Sequence, residues 1–372
     1  MELASCNFKK HVPLSNWRSL KDSLRSMAFN LRSSMSWSKI TVALIVLYAY
    51  GILLFYLCVS NLLSPVGDPS AAETVIRVKP GMSAMEIGSF LAKRGFVRSA
   101  FLFQLTSALS GTSRSLKAGE YALSANMSMY QILRKIAAGK VVLYRFTVPE
   151  GFTISQIARL WQEKGFGVEA DFVEALRNLA MKEKHGIDSH SLEGYLFPDT
   201  YKFPHGISER EAIDEMLRQF DRKVSHLMKD RVIGKRELSR VDLSRHEVIS
   251  LASIIEKEAK IEDEKPKISA VFHNRLRLER KLESCATVLY SLGYPRRKLT
   301  DSDLKNTKSP YNTYIHRGLP PGPICNPGLG SIAAALNPSK DRYLYFVSKN
   351  DGTHYFAESY REFLKAKRKY QS

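Results

Sequence analysis

The sequence predicts an α+β protein that begins with a single transmembrane helix. Three features predict this class: an uncharged stretch at residues 40–63, a strand–turn–helix pattern that occurs twice at an offset of 70 residues, and a capped helix that begins near residue 244. Hydrophobic residues make up 44% of the chain and charged residues 25%, which excludes a disordered chain and a many-span membrane protein.

Charge and cysteine content restrict the partners and the chemistry. The 372 residues carry a formal net charge of +19, which predicts an anionic partner such as nucleic acid, anionic lipid or an acidic polymer. Four cysteines are too few for a disulfide scaffold, and without a Cys-x-x-Cys pair a structural zinc site is not expected. No spacing of the nine histidines suggests a metal site, so we predict neither a metal nor a cofactor.

Residues 40–63 are predicted to cross a membrane, because 24 uncharged residues span a hydrocarbon core of roughly 30 Å. A buried core helix would rarely be apolar on every face, and a cleavable signal peptide would have a shorter leader. Seven Lys or Arg and two acidic residues precede the span. The positive-inside rule therefore places residues 1–39 in the cytoplasm and exports everything after about residue 64. This topology argues against nucleic acid as a partner and predicts a single-pass protein of the inner membrane.

After a linker at 64–73, the repeated pattern occupies residues 78–96 and 148–166, with a partial third copy at 128–140. Each copy predicts a strand, a tight glycine turn, a Ser or Thr N-cap, a helix and a glycine C-cap. Such short units cannot bury a core alone, so we expect them to pack together within 74–166. The units resemble LysM modules, which bind N-acetylglucosamine polymers; the alternative is a structural spacer.

A helical connecting region is predicted at 167–243. Within it, residues 193–201 combine two carboxylates, a proline and aromatic residues, which suits a turn that lines a cleft or a packed domain junction. The third domain is predicted at 244–372. It opens with a capping box at Ser244 and Glu247.

Two glutamates near the end of the capped helix are candidate acids. Helical geometry places Glu256 and Glu258 about 200° apart, so they cannot act as a facing acid–base pair, and it directs Lys257 into solvent. Glu258 follows Ile254 and Ile255, and large apolar neighbours raise the pKa of a carboxyl as a general acid requires. A zinc-helix interpretation fails because Ser250 stands where the second histidine of such a helix would be.

Seven short motifs together resemble the YceG-like family of endolytic murein transglycosylases. They are LASIIEKE at 251–258, VFHNRL at 271–276, TVLY at 287–290, SPYNTY at 309–314, GLPPGPI at 318–324, NPG at 326–328 and YLYFV at 343–347. The resemblance covers about residues 74–372 and includes the single N-terminal span.

The resemblance implies cleavage of peptidoglycan strands between N-acetylmuramic acid and N-acetylglucosamine, leaving a 1,6-anhydro end. It places the catalytic glutamate in the Glu-Lys-Glu segment; we assign it to Glu258, with Glu256 as the alternative. Expected substrate-binding residues are Glu256, Tyr311, Asn312, Tyr314 and Asn326. The expected partners are glycan strands, the membrane, and synthases with the division or elongation machinery.

The chain departs from the family where Cys285 and Ala286 replace an Asp-Pro pair, which leaves a possible loss of activity open. A non-enzymatic glycan-binding regulator and a hydrolase that uses water are therefore kept as alternatives. The family places the segments that hold Cys285 and Cys325 around one cleft, and a disulfide between these two exported cysteines is a further expectation.

Overall fold

We analysed a computed structural model of the chain. The structure describes residue 26 and residues 37–68, 70–233, 242–293 and 299–371. Most of the predicted cytoplasmic segment, 1–39, lies outside the described residues. The chain divides into two compact units, Met1–Lys140 and Val141–Ser372.

The first unit begins with a long helix, α1 (Trp37–Leu63). Its apolar part, Lys39–Leu63, is long and apolar enough to cross a membrane. The elements that follow are β1 (Thr74–Val78), α2 (Ala84–Lys93), α3 (Ala100–Leu109), β2 (Gly119–Leu123) and α4 (Met129–Ala137). Strands β1 and β2 pair antiparallel with Ile76 opposite Tyr121, and both side chains are buried.

The second unit contains the predicted catalytic region. Its helices are α5 (Ile154–Glu163), α6 (Glu169–Ala175), α7 (Leu179–Lys184), α8 (Glu209–Ile233), α9 (Arg245–Glu258), α10 (Lys265–Arg277), α11 (Cys285–Leu292), α12 (Asp301–Asn306), α13 (Leu329–Leu336) and α14 (Tyr360–Tyr370), with a 3-10 turn at Glu262–Glu264. Its strands are β3 (Tyr144–Thr147), β4 (Thr200–Phe203), β5 (Tyr345–Ser348) and β6 (His354–Ala357), which pair antiparallel as β3–β4 and β5–β6. This mixture of helices and short sheets confirms the coarse α+β prediction.

The local prediction for the repeat is confirmed. Ser83 and Thr153 each form a capping box at the start of a helix, and Gly95 and Gly165 follow the two helices with φ near +75°. Each strand, however, pairs outside its own copy: β1 with β2 and β3 with β4. Because the division between the units falls after Lys140, the two copies lie in different units. The LysM likeness stays a prediction.

Helix α9 passes through the core of the second unit. Every residue from Val248 to Ile255 is buried, and the helix packs against α10, α11 and α13. Two buried serines permit this, because Ser250 donates its hydroxyl to the His246 carbonyl at 2.8 Å and Ser253 donates to the Ser250 carbonyl at 2.7 Å. Their hydrogen bonds satisfy the hydroxyls without water.

The predicted solvent direction of Lys257 is wrong. Its Nζ donates a 3.2 Å hydrogen bond to the carbonyl oxygen of Gly151, in the turn between β3 and α5. The prediction assumed a helix with one buried face, whereas α9 is covered on all sides.

Candidate active site

The carboxyl group of Glu258 lies in the last turn of α9 and contacts the start of α11. Its Oε1 accepts a 2.5 Å hydrogen bond from Ser284 Oγ, and the backbone N–H of Ala286 also bonds to the carboxylate. Burial raises the pKa of Glu258, while the Ser284 and Ala286 donors and nearby His354 oppose the increase. The carboxyl group itself is enclosed by protein, although the residue as a whole is only partly buried.

Ser284 is held in place by a buried group of hydroxyls. Its backbone N–H donates to Thr313 Oγ1 at 3.0 Å, and Thr287 Oγ1 lies 2.9 Å from the same Thr313 oxygen. Glu283, just before it, has a φ of +54°, a conformation that reverses the chain into α11. Sequence reasoning identified neither Ser284 nor Thr313 as a functional residue, although Thr313 lies within the motif at 309–314 and Ser284 directly precedes Cys285.

Glu256 points to a different element. Its Oε2 accepts hydrogen bonds from the Gly328 N–H at 3.0 Å and from Ser331 Oγ at 2.6 Å, at the start of α13. Lys265 Nζ lies 3.6 Å from the same oxygen. Glu256 therefore accepts hydrogen bonds from donors at a helix N-terminus, as carboxylates do in many proteins.

Of the predicted substrate-binding residues, Tyr314 lies beside the acid region. Its hydroxyl is 3.1 Å from the Sγ of Cys285, the first residue of α11. Tyr311 packs its ring against Tyr290, with the centroids 5.0 Å apart. Both tyrosines are partly exposed, so a direct contact with a glycan stays a prediction for them.

Asn312 and Asn326 are fully buried. In each, both the nitrogen and the oxygen of the side-chain amide are hydrogen-bonded to other protein groups. Asn312 donates to the Leu304 and Thr307 carbonyls at 3.0 Å and accepts from the Tyr314 N–H at 2.9 Å. It thereby fixes the loop that presents the two tyrosines. In this structure the residue acts through that loop.

Asn326 connects three segments of the second unit. Its Nδ2 donates to the Phe152 carbonyl at 2.9 Å and to Glu193 Oε1 at 3.1 Å, and its Oδ1 accepts from the Leu196 N–H at 2.9 Å. The backbone of Asn326 also bonds to Gly151 and Phe152. The turn of the second repeat copy is thus attached to the loop that precedes α13.

Glu193 is a buried acid that the sequence placed only in a turn. It accepts a 3.0 Å hydrogen bond from the Ile154 N–H at the start of α5, and Tyr290 donates its hydroxyl to Oε2 at 3.4 Å. Burial raises the pKa of Glu193 to about 8. Residues 192–198 are all buried, which supports the interpretation of this turn as a packed junction.

The expected disulfide is wrong: Cys285 and Cys325 are both free thiols. Cys285 is directed toward Tyr314, whereas the buried Cys325 donates to the Ser253 carbonyl at 3.3 Å. The two motifs that contain them both contact α9, but their thiols have separate partners. Among the residues that the structure describes, no group of three or more His, Cys, Asp or Glu side chains could hold a metal ion.

Comparisons with known proteins agree on one family. The model of the YceG-like family matches residues 76–369. A Bacillus subtilis protein named endolytic murein transglycosylase is 34% identical over 328 residues, which cover 84% of this chain and 89% of the relative. A Streptococcus pneumoniae protein of the same name is 31% identical in an alignment of 338 positions that covers 82% of this chain and 59% of that one. A crystal structure of a yceG-like protein from Listeria monocytogenes has 32% identity and a TM-score of 0.54, and covers 79% of this chain and 98% of that chain.

Proposed function

Since the chain belongs to the YceG-like family, we propose that it is a lytic transglycosylase that cuts the glycan strands of peptidoglycan. Helix α1 anchors it in the cell membrane, with the N-terminus in the cytoplasm and both described units beyond α1 outside it. This topology follows from the length and hydropathy of α1 and from the basic residues that precede it.

The single observation that carries the proposal is the environment of Glu258. Its carboxyl is surrounded by protein that raises its pKa, and Ser284 Oγ orients it through a 2.5 Å hydrogen bond. A carboxyl with a raised pKa stays protonated nearer to neutral pH, which is the state that a general acid needs. Glu256, by contrast, is tied to α13.

In the first half of the reaction, Glu258 gives its proton to the glycosidic oxygen. The bond between C1 of N-acetylmuramic acid and that oxygen breaks, and the N-acetylglucosamine end leaves with a free 4-hydroxyl. Positive charge develops at C1 and the ring oxygen. The polar groups near the acid, including Tyr314, are placed to stabilise that charge.

In the second half, the Glu258 carboxylate takes the proton from the C6 hydroxyl of the same muramoyl residue. The C6 oxygen then bonds to C1 and closes the 1,6-anhydro ring. The proton lost in the first half returns to Glu258, and no water is consumed. One carboxyl is therefore sufficient, whereas ordinary glycosidases use two.

Product analysis tests this proposal. The purified full chain is incubated with insoluble peptidoglycan, and the released fragments are analysed by mass spectrometry before and after borohydride reduction. We expect non-reducing anhydro ends, which are lighter than hydrolytic ends by one water and are unchanged by borohydride. Reducing ends would identify a hydrolase, and the absence of cleavage would favour the glycan-binding regulator. Synthases and the division or elongation machinery are proposed partners on the strength of the family alone.

A further inference from the structure

Helix α3 (Ala100–Leu109) exposes an apolar stripe on one side. It carries no charged residue, and it buries Phe103 and Ser107 on the side that faces the first unit. On the opposite side Phe101 is 62% exposed, Leu105 40% and Leu109 81%. These three residues lie within an arc of about 80° on the helix, so they form one continuous stripe. Contiguous exposed apolar surface of this kind marks an interaction site.

The charged residues next to α3 in the sequence have one sign. Between Glu86 and Glu120 the sequence contains no acidic residue. Five exposed cations flank α3 in the same interval: Lys93, Arg94, Arg98, Arg114 and Lys117. An exposed apolar helix with Lys and Arg on both sides of it in the sequence is typical of segments that lie in the interface of an anionic membrane.

The position of α3 beside the end of the membrane-spanning helix also points to the membrane as its partner. Two residues after α1 ends, the Pro65 carbonyl accepts a 3.0 Å hydrogen bond from Arg98 Nη2. The N–H groups of Val66 and Gly67 both donate to the Ala125 carbonyl, at 3.1 and 2.9 Å. The chain that leaves the span is thus bonded at once to the first unit.

Arg98 immediately precedes Ser99, the N-cap of α3. A helix of ten residues is about 15 Å long, so the whole stripe lies close to the point where the chain leaves α1. This placement brings the stripe within reach of the membrane that holds the span.

We propose that α3 docks on the anionic lipid surface of that membrane, with its apolar stripe in the interfacial layer and the five flanking cations at the lipid phosphates. The inference rests on the anchoring role proposed for α1 and adds a second, lateral contact. A second copy of the chain is a poorer occupant, because the same five cations on each copy would repel one another. The docked helix holds the first unit against the bilayer and limits its motion about the linker.

Hydrogen–deuterium exchange of the full chain in nanodiscs tests the proposal. One set of discs holds one chain each and a second set holds two, and each set contains either phosphatidylcholine alone or a mixture with phosphatidylglycerol. We expect amide exchange in residues 100–109 to slow by about tenfold in the anionic discs and to return toward the neutral-lipid rate at high salt. Exchange in β2 provides the internal reference for the folded unit.

The same experiment separates this proposal from the anchoring of α1. Slow exchange in residues 40–63 reports insertion of the span. If the span is protected and residues 100–109 exchange equally in both lipids, docking is overturned while anchoring stands. If the span itself exchanges freely, anchoring fails first. Protection of α3 only in discs that hold two chains would identify a second copy as the occupant and would overturn docking on lipid.

Two variants sharpen the readout. The double variant Leu105→Gln, Leu109→Gln replaces two of the three residues of the stripe. Both positions are exposed, so we expect the unit to stay folded and the lipid-dependent protection to disappear. Tyr130→Gln in α4, another exposed apolar position, is the matched control and should retain the protection. Arg114→Gln should weaken docking by about fivefold, as expected for one cation near an anionic surface. Unchanged protection in the double variant contradicts the proposal.

Discussion

Ser284 Oγ donates a 2.5 Å hydrogen bond to Glu258 Oε1 across 26 residues of sequence. The donor is fixed in turn by Thr313, whose Oγ1 accepts the Ser284 N–H. The proposed acid therefore has one orientation before substrate arrives. A donor to the carboxylate stabilises its ionised form and so opposes the increase in pKa that burial causes.

Replacing Ser284 with Ala should shift the pH profile of cleavage. Without this donor the pKa of Glu258 rises further, and because a general acid must be protonated, the decline of activity at high pH should begin at higher pH. A hydrogen bond to a charged group contributes about 1.5–3 kcal/mol, which predicts a displacement of about one pH unit or more. The rate at the optimum should also fall, since the acid loses its orientation.

The matched control for this shift is Ser331→Ala, which removes the corresponding hydroxyl donor from Glu256. Ser331→Ala should leave the high-pH decline of cleavage at the pH found for the parent. Ser284→Thr keeps a hydroxyl donor, so its decline should also lie at the parent's pH. An equal displacement in Ser284→Ala and Ser331→Ala would show that the effect does not pass through Glu258.

Glu258→Gln should abolish formation of anhydro ends, because the amide keeps the shape of the side chain but cannot donate the proton. Loss of general acid catalysis typically costs about 10²–10⁴-fold in rate. Glu256→Gln is the control on the same helix; it weakens the bonds to α13 and should cost about 1 kcal/mol of stability while retaining cleavage. An active Glu258→Gln together with an inactive, folded Glu256→Gln would reverse our assignment.

Local features of this site could be predicted from sequence, and distant ones could not. The capping box at Ser244 and the two edges of α9 that carry Glu256 and Glu258 follow from spacing alone. The Ser284 donor does not, because it depends on how α11 returns to the end of α9. Lys257 was predicted in solvent because it lies about 180° from Val248 on a helix assumed to bury one face. Residues 248–255 are instead buried all round, and Ser250 and Ser253 bond to backbone carbonyls inside the core.

Glu193 should make the folded second unit less stable as the pH rises. Its pKa is raised to about 8 in the folded state from an ordinary value of 4.5, so the folded state binds more protons between these values. The contribution of Glu193 to the free energy of unfolding is therefore fully present below about pH 4.5 and is lost as the pH rises through 8. The slope of this loss is at most about 1.4 kcal/mol per pH unit.

Glu193→Gln should remove this slope, because Gln has no proton to lose and can still accept from the Ile154 N–H. Unfolding can be followed through Trp161, which is buried in the second unit and is the only tryptophan after residue 37. The variant and the parent should differ little below about pH 4.5, and the variant should be the more stable at pH 8.5. Parallel curves would contradict a protonated Glu193.

Thiol chemistry should distinguish Cys285 from Cys325. Both are free, but only Cys285 is exposed, so a maleimide probe should label it slowly in the folded protein and leave Cys325 unmodified. The labelling is slow because the protein around the sulfur atom desolvates it, which raises the pKa of the Cys285 thiol and reduces the fraction of thiolate. After denaturation without reductant, both cysteines should react with the probe. If neither reacts until a reductant is added, the two are joined by a disulfide and the free-thiol description is wrong.

The two copies of the repeat should respond differently to the same substitution. Gly81 and Gly151 occupy equivalent turns and have φ of +81° and +75°, so alanine at either position strains the backbone by about 1–2 kcal/mol. Gly151 is bonded into the site: its carbonyl accepts from Lys257 and its N–H donates to the Asn326 carbonyl. Gly151→Ala should therefore lower the rate of anhydro-end formation severalfold, while Gly81→Ala should leave it near the parent value.

Retention on insoluble peptidoglycan is the second measurement on this pair. If the first copy binds glycan as its LysM likeness predicts, Gly81→Ala should reduce retention of a chain that also carries Glu258→Gln and cannot cut its ligand. Full retention with Gly81→Ala would favour the spacer interpretation of the first copy. An equal loss of cleavage in both glycine variants would show that backbone strain alone lowers activity.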